Sequence, residues 1–250
     1  MPGFFSFKIK ILIYSRLMSF SLVIPFYNEE QNIEDLLVEI ISVFKNFNSY
    51  EMILINDASL DNTQISLEKF KKKYPNIITI INNKTNQGQS LSLIKGIKIS
   101  KYDVIVTLDG DGQNDPNDIP KLLDEYKKFN LALVGGLRLK RQDSIIKIYS
   151  SKIANSIRNY FLKDDCLDTG CALKIFNKKI FLQFSHFKGI HRFLPALYKG
   201  YGYKTKFLEV SHRPRKHGKS KYGTFLRMIN GVIDLVKVYF MIKNQNKSDV

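Results

Sequence analysis

The stretch Asp103-Val-Ile-Val-Thr-Leu-Asp109-Gly-Asp111-Gly-Gln113-Asn-Asp115-Pro116 decides the fold of this chain. Its apolar part, residues 103–108, is typical of a strand that is buried on both faces. Asp115 is a favourable N-cap and Pro116 suits a first helical position, so a helix is predicted at 116–129. The residues between form a short turn at the carboxyl end of a central strand, where open α/β sheets bind ligands.

The two carboxylates of this turn, Asp109 and Asp111, are separated by one residue and can face the same ligand. Two hard oxygen donors of this kind suit Mg²⁺ or Mn²⁺ carried by a diphosphate. The alternative is that they only cap the following helix, because Asp-x-Asp is common in turns. The turn alone does not decide between a ligand site and a cap.

The rest of the chain alternates apolar strands with amphipathic helices. Strands are predicted at 21–26, 52–55, 77–81, 103–108, 131–134, 172–176 and 205–210, and helices at 32–44, 62–73, 89–100, 116–129 and 144–161. This alternation is typical of a doubly wound, mostly parallel sheet with helices on both faces. The continuous apolar strands agree with a sheet that is covered on both sides.

Composition narrows the class of protein. The 250 residues are 44% hydrophobic, which is enough for one sizeable globular domain. The net charge of +16 indicates an anionic partner, which can be nucleic acid, a membrane surface or a phosphorylated substrate. Compositional bias toward Lys, Asn and Ile is the other explanation of the charge. The two cysteines, Cys166 and Cys171, match no zinc pattern and are read as reduced thiols.

Acidic side chains follow two further predicted strands. Glu29 comes after the first strand and Asp57 after the second, so with Asp109 after the fourth, three strands are followed by carboxylates. Each alone is readily explained as a turn or cap. Three at one sheet edge favour a polar pocket. The chain contains neither the P-loop pattern nor a G-x-G-x-x-G after its first strand.

These residues together resemble a family 2 glycosyltransferase of the dolichol-phosphate mannosyltransferase-like branch. The matching pieces are V-I-P-F-Y-N-E-E (23–30), N-D-A-S-L-D-N-T (56–63), N-Q-G-Q-S (86–90), L-D-G-D-G-Q-N-D-P (108–116), D-T-G-C-A-L-K-I-F (168–176), H-R-F-L-P-A-L (191–197) and H-R-P-R-K-H-G-K-S-K-Y-G (212–223). The resemblance implies a GT-A-type nucleotide-diphospho-sugar transferase fold. It also implies transfer of a hexose, mannose or glucose, from a GDP- or UDP-sugar to a polyprenyl or dolichyl phosphate, with inversion at the anomeric carbon.

The resemblance also implies roles for individual residues, and it predicts a metal-dependent enzyme that uses Mg²⁺ or Mn²⁺. The nucleoside would be held by Pro25, Tyr27, Glu29 and Asp57, and the metal and diphosphate by Asp109, Asp111 and Gln113, with Gly110 also in the substrate site. Arg138 and Arg215 would contact the phosphates. Ser220 and Lys221 would support the basic loop, residues 213–222, and Lys147 and Ser151 would lie near the acceptor phosphate. Predicted catalytic residues are Asp111, Asp168, Arg138 and Arg215.

Two positions depart from the family pattern. Lys147 stands where the family often has Arg, so a point charge replaces a bidentate fork. Asn56 stands where the family often has Asp, which leaves the contact to Asp57.

The acceptor decides whether a general base is needed. A lipid phosphate is already anionic at pH 7 and needs positioning and charge screening more than a base. A sugar hydroxyl, as in cell-envelope polysaccharide synthesis, would need one, and Asp168 is the obvious candidate. Asp168 can equally be interpreted as a residue that anchors the acceptor loop or caps a turn, with no role as a base. His191 is readable either as part of the family motif or as a packed, hydrogen-bonded histidine.

Three other function classes compete with a lipid-phosphate transferase. A hydroxyl-specific glycosyltransferase is the nearest. A basic nucleic-acid-binding module would use the charge but not the acidic strand ends, so no nucleic-acid partner is predicted. A non-catalytic nucleotide-sugar sensor would keep the pocket and lose the basic loop, which is present here.

The C-terminal region predicts contact with a membrane. Residues 1–17 are expected to be a flexible leader, 18–222 the catalytic domain, and 223–250 an amphipathic helix and tail. On a helix, this region has a polar stripe made of Arg227, Asn230, Asp234 and Lys237. The apolar residues lie away from that stripe: Leu226, Ile229, Ile233, Val236 and Phe240. This pattern fits an interfacial helix on an anionic surface, and a homodimer interface is the alternative. The expected location is peripheral, on the cytoplasmic face of the inner or plasma membrane.

Overall fold

The structure is a computed structural model that describes residues 16–138, 145–218 and 224–248. The side chains of 145–150, 224–229 and 246–248 are not among those described. The predicted leader, residues 1–17, lies outside the described residues except for its last two positions.

The described strands form one seven-stranded sheet. They are β1 (Ser19–Phe26), β2 (Ser49–Asn56), β3 (Ile78–Asn82), β4 (Val104–Thr107), β5 (Leu133–Leu137), β6 (Lys174–Asn177) and β7 (Thr205–Glu209). Their order across the sheet is β3-β2-β1-β4-β6-β5-β7. Strand β6 is antiparallel to both neighbours, and the other adjacent pairs are parallel. The mostly parallel α/β sheet predicted from the sequence is confirmed.

Helices connect the strands and cover both faces. They are α1 (Glu30–Phe44), α2 (Thr63–Lys73), α3 (Gln89–Ile99), α4 (Ile119–Lys128), α5 (Ile145–Leu162), α6 (Lys178–Gln183), α7 (Leu194–Gly200) and α8 (Thr224–Ser248), with 3₁₀ turns at Pro116–Asp118 and Ile190–Arg192. In the described part of the chain, no helix is long and apolar enough to span a bilayer.

Among the predicted boundaries that differ from the structure, two differ for identifiable reasons. The helix predicted at 116–129 starts as a 3₁₀ turn, because Asp115 accepts a hydrogen bond from the Asn117 backbone N–H and tightens the first turn. The strand predicted at 131–134 begins only at Leu133. Asn130 has a φ of 47°, and the Leu131 N–H still bonds to the Tyr126 carbonyl at 3.0 Å, so these residues form the helix exit.

Alternation along the strands divides the core into two clusters. Leu22 and Ile24 of β1 pack toward α1 and α4, whereas Val23 packs toward α3 and α7 on the other face. Helix α3 lies close to the sheet at Gly96, where a Cβ atom would come within 2.5 Å of Val23. The sheet is therefore held between two apolar layers, which leaves its edges for polar chemistry.

Strand direction decides which segments meet at the carboxyl edge. The segments that follow the parallel strands all emerge there. Because β6 runs the opposite way, the segment that precedes it, residues 168–173, arrives at the same edge. One edge thus gathers the ends of six strands and the start of the seventh.

Candidate active site

The turn after β4 is fixed by close packing against β1. A Cβ atom at Gly110 would lie 2.5 Å from the Phe26 ring and 3.0 Å from the Pro25 carbonyl oxygen, so only glycine fits without a shift. Gly112 has a φ of +72°, a conformation that side chains rarely adopt. These two glycines hold Asp109 and Asp111 on a compact turn at the sheet edge.

The electrostatics of this turn favour a nearby cation. Burial and the charge of Asp111 together raise the pKa of Asp109 to about 7. The positive charges of Arg138, Lys174 and Arg215 act in the opposite direction. The Gln89 amide nitrogen donates to Asp109 Oδ1 at 2.6 Å, which fixes that carboxyl group. Further positive charge at this point would stabilise both carboxylates.

The donor set fits a divalent ion that arrives with a diphosphate. Asp111 accepts from the Gln113 backbone N–H through Oδ1 and from Arg215 through Oδ2, and each oxygen retains a further lone pair. Among the residues described, no group of three or more His, Cys, Asp or Glu is arranged to hold a metal ion. Mg²⁺ is commonly held by only one or two carboxylates together with substrate phosphates, so this set is sufficient.

The basic segment, residues 211–218, follows β7 and reaches across this turn. Arg215 donates to Asp111 Oδ2 at 2.6 Å and to Glu29 Oε1 at 3.2 Å. The segment is attached to the turn by an antiparallel bridge between Asn114 and His212. Arg215 thus lies beside the acidic residues that follow β1 and β4, and its predicted contact with phosphates stays a prediction.

A buried ion pair lies beside the carboxylates. Arg138, which follows β5, donates to Asp168 through Nε at 2.7 Å and through Nη2 at 2.9 Å. Burial is the largest single influence and lowers the pKa of Arg138, but the hydrogen bond and charge of Asp168, together with the nearby Cys171 and Asp109, outweigh it and raise this pKa above its usual value. A carboxylate that makes two hydrogen bonds to an arginine can hold that arginine in one orientation. This geometry favours the interpretation of Asp168 as an anchor.

A polar cleft lies next to the end of β1. It has a volume of about 150 Å³ and lies between the start of α1 and the end of the basic segment, with Glu29, Asp61 and His217 in its walls. Pro25 and Tyr27 are half-buried near it at the end of β1. Carboxylates in the wall of a cleft can accept hydrogen bonds from hydroxyl groups of a ligand.

Asp57 is buried and holds a neighbouring turn. Its carboxylate accepts from the Asn83 side chain at 2.7 Å and from the Gln87 and Gly88 backbone N–H groups at 2.9 and 2.8 Å. It thereby fixes the turn that leads to Gln89 and α3. The expected contact between Asp57 and a nucleoside stays a prediction.

Several residues of the site were missed by sequence reasoning. Lys174 is buried at the start of β6 and donates to the Thr169 and Cys171 carbonyl oxygens. Ser90 Oγ lies 2.6 Å from His191 Nδ1, next to Gln89. Two features of the sequence indicate these residues. Lys174 is a lone lysine in an apolar strand, and Gln89 and Ser90 belong to the N-Q-G-Q-S motif, to which the resemblance assigns no role.

Other predicted residues are only partly covered. Ser220 and Lys221 lie outside the described residues, and so does the side chain of Lys147. Ser151 is half-buried near the start of α5.

The loop that carries Asp168 is held by a buried charge network. Arg158 of α5 donates to Asp164 through Nε at 2.6 Å and to Thr169 Oγ1 through Nη1 at 2.9 Å. It also donates to Asn155 Oδ1 and to the Cys166 carbonyl oxygen. This network connects α5 with the residue next to Asp168.

Comparison with known proteins identifies related chains. The model of the family "Glycosyl transferase family 2" matches residues 21–186. The dodecaprenyl-phosphate galacturonate synthase of Rhizobium johnstonii is 32% identical over 90% of this chain and 68% of its own length. An undecaprenyl-phosphate 4-deoxy-4-formamido-L-arabinose transferase of Pseudomonas fluorescens is 34% identical over 86% of this chain and 63% of its own. The chain thus spans about two thirds of the length of these curated relatives.

Solved structures share the fold at low identity. The mannosyltransferase of Pyrobaculum calidifontis, in complex with GDP-Man and Mn²⁺, aligns with a TM-score of 0.61 at 14% identity, over 86% of this chain and 62% of its own. Glucosyl-3-phosphoglycerate synthase of Mycobacterium tuberculosis aligns with a TM-score of 0.66 at 16% identity, over 90% and 82%. The GT-A-type fold predicted from the motifs is confirmed.

The buried network under Asp168 predicts a large difference between two adjacent aspartates. Asp164→Asn should lower the free energy of unfolding by about 3–5 kcal/mol, because Arg158 would keep a buried charge without its counter-ion. Asp165→Asn is the matched control: its carboxylate is 73% exposed in its pair with Lys199, so it should change stability by less than about 0.5 kcal/mol. Urea unfolding measures both. Equal, small effects would show that the network does not hold this loop.

Proposed function

The chain belongs to glycosyl transferase family 2, and we propose on that basis that it transfers a sugar from a nucleotide-diphosphate sugar to a polyprenyl phosphate, with inversion. The observation that carries this proposal is the meeting of Asp109 and Asp111 with Arg138 and Arg215 at one sheet edge. Carboxylates suit a metal-bound donor diphosphate, and arginines suit phosphate oxygens.

The donor would lie along the carboxyl ends of β1, β2 and β4. Asp109, Asp111 and the Gln113 side chain would hold Mg²⁺ or Mn²⁺, which when bound neutralises charge that develops on the departing nucleoside diphosphate. Glu29, in the wall of the polar cleft, would accept hydrogen bonds from the nucleoside, beside Pro25, Tyr27 and Asp57. Gly110 would serve this site by letting the turn pack closely against Phe26 and Pro25.

The acceptor would approach from the side of Arg138 and α5. A lipid phosphate oxygen would attack the anomeric carbon while the bond from that carbon to the diphosphate oxygen breaks, and the nucleoside diphosphate leaves with the electron pair. Arg138 and Arg215 would stabilise the phosphate charges. Lys147 and Ser151 would lie near the acceptor phosphate, and Ser220 and Lys221 would support the basic loop. Asp168 would orient Arg138 through their two hydrogen bonds instead of acting as a base.

The relatives' names widen the choice of donor sugar. They specify galacturonate and a formamido-arabinose, whereas the sequence motifs predict mannose or glucose. A hexose is the sugar that the motifs favour, and the relatives are the reason to test uronic acid and pentose donors as well.

Transfer to a lipid phosphate can be measured directly. The full chain is incubated with Mn²⁺ or Mg²⁺, labelled GDP- and UDP-sugars and a polyprenyl phosphate, and label is measured in the organic phase. We expect lipid-linked label with at least one donor, and about 100-fold slower labelling with Arg215→Ala, which removes one group that stabilises phosphate charge. Label that appears instead on a saccharide hydroxyl, with none on the lipid phosphate, would contradict the proposal and favour the hydroxyl-acceptor alternative.

We further propose that α8 and α5 bind the cytoplasmic face of an anionic membrane peripherally, where the lipid substrate lies. Asp234 and Val238 of α8 are buried against the domain, with Asp234 paired to Arg192. The opposite face of α8 exposes Val232, Ile233, Val236, Tyr239 and Phe240. The neighbouring helix α5 exposes Ile153, Ile157, Tyr160 and Phe161. An apolar face on a chain of net charge +16 suits an anionic bilayer, and a homodimer would use the same face.

Flotation with anionic liposomes tests this membrane assignment. At low salt the chain should float, and high salt should release part of it because the charge attraction is screened. Replacing Ile233, Val236 and Phe240 with Ser should release more, whereas replacing Val38 and Ile65, exposed on α1 and α2, with Ser should not. Equal flotation of both variants, or wild-type protein that stays at the bottom of the gradient, would contradict the assignment.

A further inference from the structure

Arg213 lies two residues before Arg215 but contacts a different set of carboxylates. Its Nη1 donates to Glu39 Oε2 at 2.7 Å and its Nη2 donates to Glu39 Oε1 at 2.7 Å, a two-point fork. Nη2 also lies 2.8 Å from Asp115 Oδ2. Glu39 belongs to α1 and is not one of the predicted site residues.

The backbone around Arg213 is attached to the turn after β4, which carries Asp109 and Asp111. The Arg213 N–H donates to the Gln113 carbonyl oxygen at 2.9 Å, and the Gln113 side chain donates back to the Arg213 carbonyl oxygen at 3.3 Å. The Ser211 N–H donates to Asp118 Oδ2 at 2.7 Å. The basic segment is thus attached to the chain on both sides of Asp115.

Glu39 connects three parts of the fold at this point. Besides Arg213, its Oε1 accepts from the Asn117 side chain at 2.9 Å, and Asn117 lies in the 3₁₀ turn after Asp115. A single carboxylate in α1 therefore holds the basic segment and the start of α4 together. Its partners are fixed by backbone bonds, which lowers the entropy cost of the arrangement.

Another ion pair of the same segment provides a contrast. Lys216 lies 2.9 Å from Asp35 of α1, but the two side chains are 68% and 69% exposed. Arg213 and Glu39 are 36% and 27% exposed and share two hydrogen bonds. Exposed single-point pairs contribute little, whereas partly buried forks fix geometry. Of these two attachments to α1, the one through Arg213 is the stronger.

We propose that Arg213 is a positioning residue, which with Glu39 and Asp115 fixes the basic segment so that the Arg215 guanidinium lies between Asp111 and Glu29. This inference rests on the proposed function, since Arg215 is the group that would meet the phosphates. Without the fork, Arg215 would sample more positions, and the reactive arrangement would form less often. The loss should appear in kcat more than in the KM for the donor nucleotide, which other residues hold.

A double-mutant cycle tests whether Arg213 acts through Arg215. Arg213→Ala and Glu39→Gln should each lower kcat by roughly 10- to 100-fold, the size expected for a misplaced reacting group, with donor KM changed less than about threefold. In an Arg215→Ala background, Arg213→Ala should cost less than about twofold more. Arg213→Lys, which keeps the charge without the fork, should recover only part of the activity. Lys216→Ala should behave like wild type.

Hydrogen–deuterium exchange gives a readout independent of activity. Arg213→Ala and Glu39→Gln should speed exchange in the peptide that covers residues 211–218 and leave the peptides of β1 and β4 unchanged. If Arg213→Ala fails to fold, Glu39→Gln and Arg213→Lys carry both measurements. Losses that multiply in the cycle, unchanged exchange, or an equal effect of Lys216→Ala would overturn the proposal. Faster exchange in a chain that transfers no sugar would instead contradict only the proposed function.

Discussion

The mutual repulsion of Asp109 and Asp111 is the interaction on which the rest of the site depends. Two carboxylates on one partly buried turn cost free energy unless positive charge lies close by. Gly110 leaves them little freedom to separate, because its Cα packs against Phe26 and the Pro25 carbonyl. The chain places Arg138, Lys174 and Arg215 around them, and each lowers the pKa of Asp109. A metal ion with a diphosphate would meet the same requirement.

The direction of one strand makes this arrangement possible. Because β6 is antiparallel, the segment with Asp168 arrives at the edge where the parallel strands end, and Asp168 can hold Arg138 there. Two further ion pairs support these residues from behind. Arg158 pairs with Asp164 next to the Asp168 loop, and Arg213 of the basic segment pairs with Glu39. Charges that would touch substrate are thus oriented by buried or partly buried ion pairs that would not.

Much of this fold could be predicted from local patterns, and what was missed depends on tertiary packing. Apolar runs and helical periodicity locate the elements to within a few residues, and Asp115 caps its helix as its position indicated. The orientation of β6 has no local signal, since residues 172–176 are equally apolar for either direction. Lys174 and Gln89 do carry a local signal, a lone lysine in an apolar strand and the N-Q-G-Q-S motif, but Glu39 has none, because its contact with Arg213 joins residues far apart in the sequence. Periodicity separated the two faces of α8, but only the structure shows that the face with Asp234 meets the domain.

Metal binding by the carboxylate pair is tested most directly by electron paramagnetic resonance of Mn²⁺ in the presence of a nucleoside diphosphate. Wild-type protein should broaden the signal of the Mn²⁺–nucleotide complex as it binds. A double variant, Asp109→Asn with Asp111→Asn, should weaken that binding at least about tenfold, because it removes both hard anionic ligands. Asp103→Asn, at a half-exposed carboxylate paired with Lys179, should bind like wild type. Undiminished broadening by the double variant would show that this pair does not hold the metal.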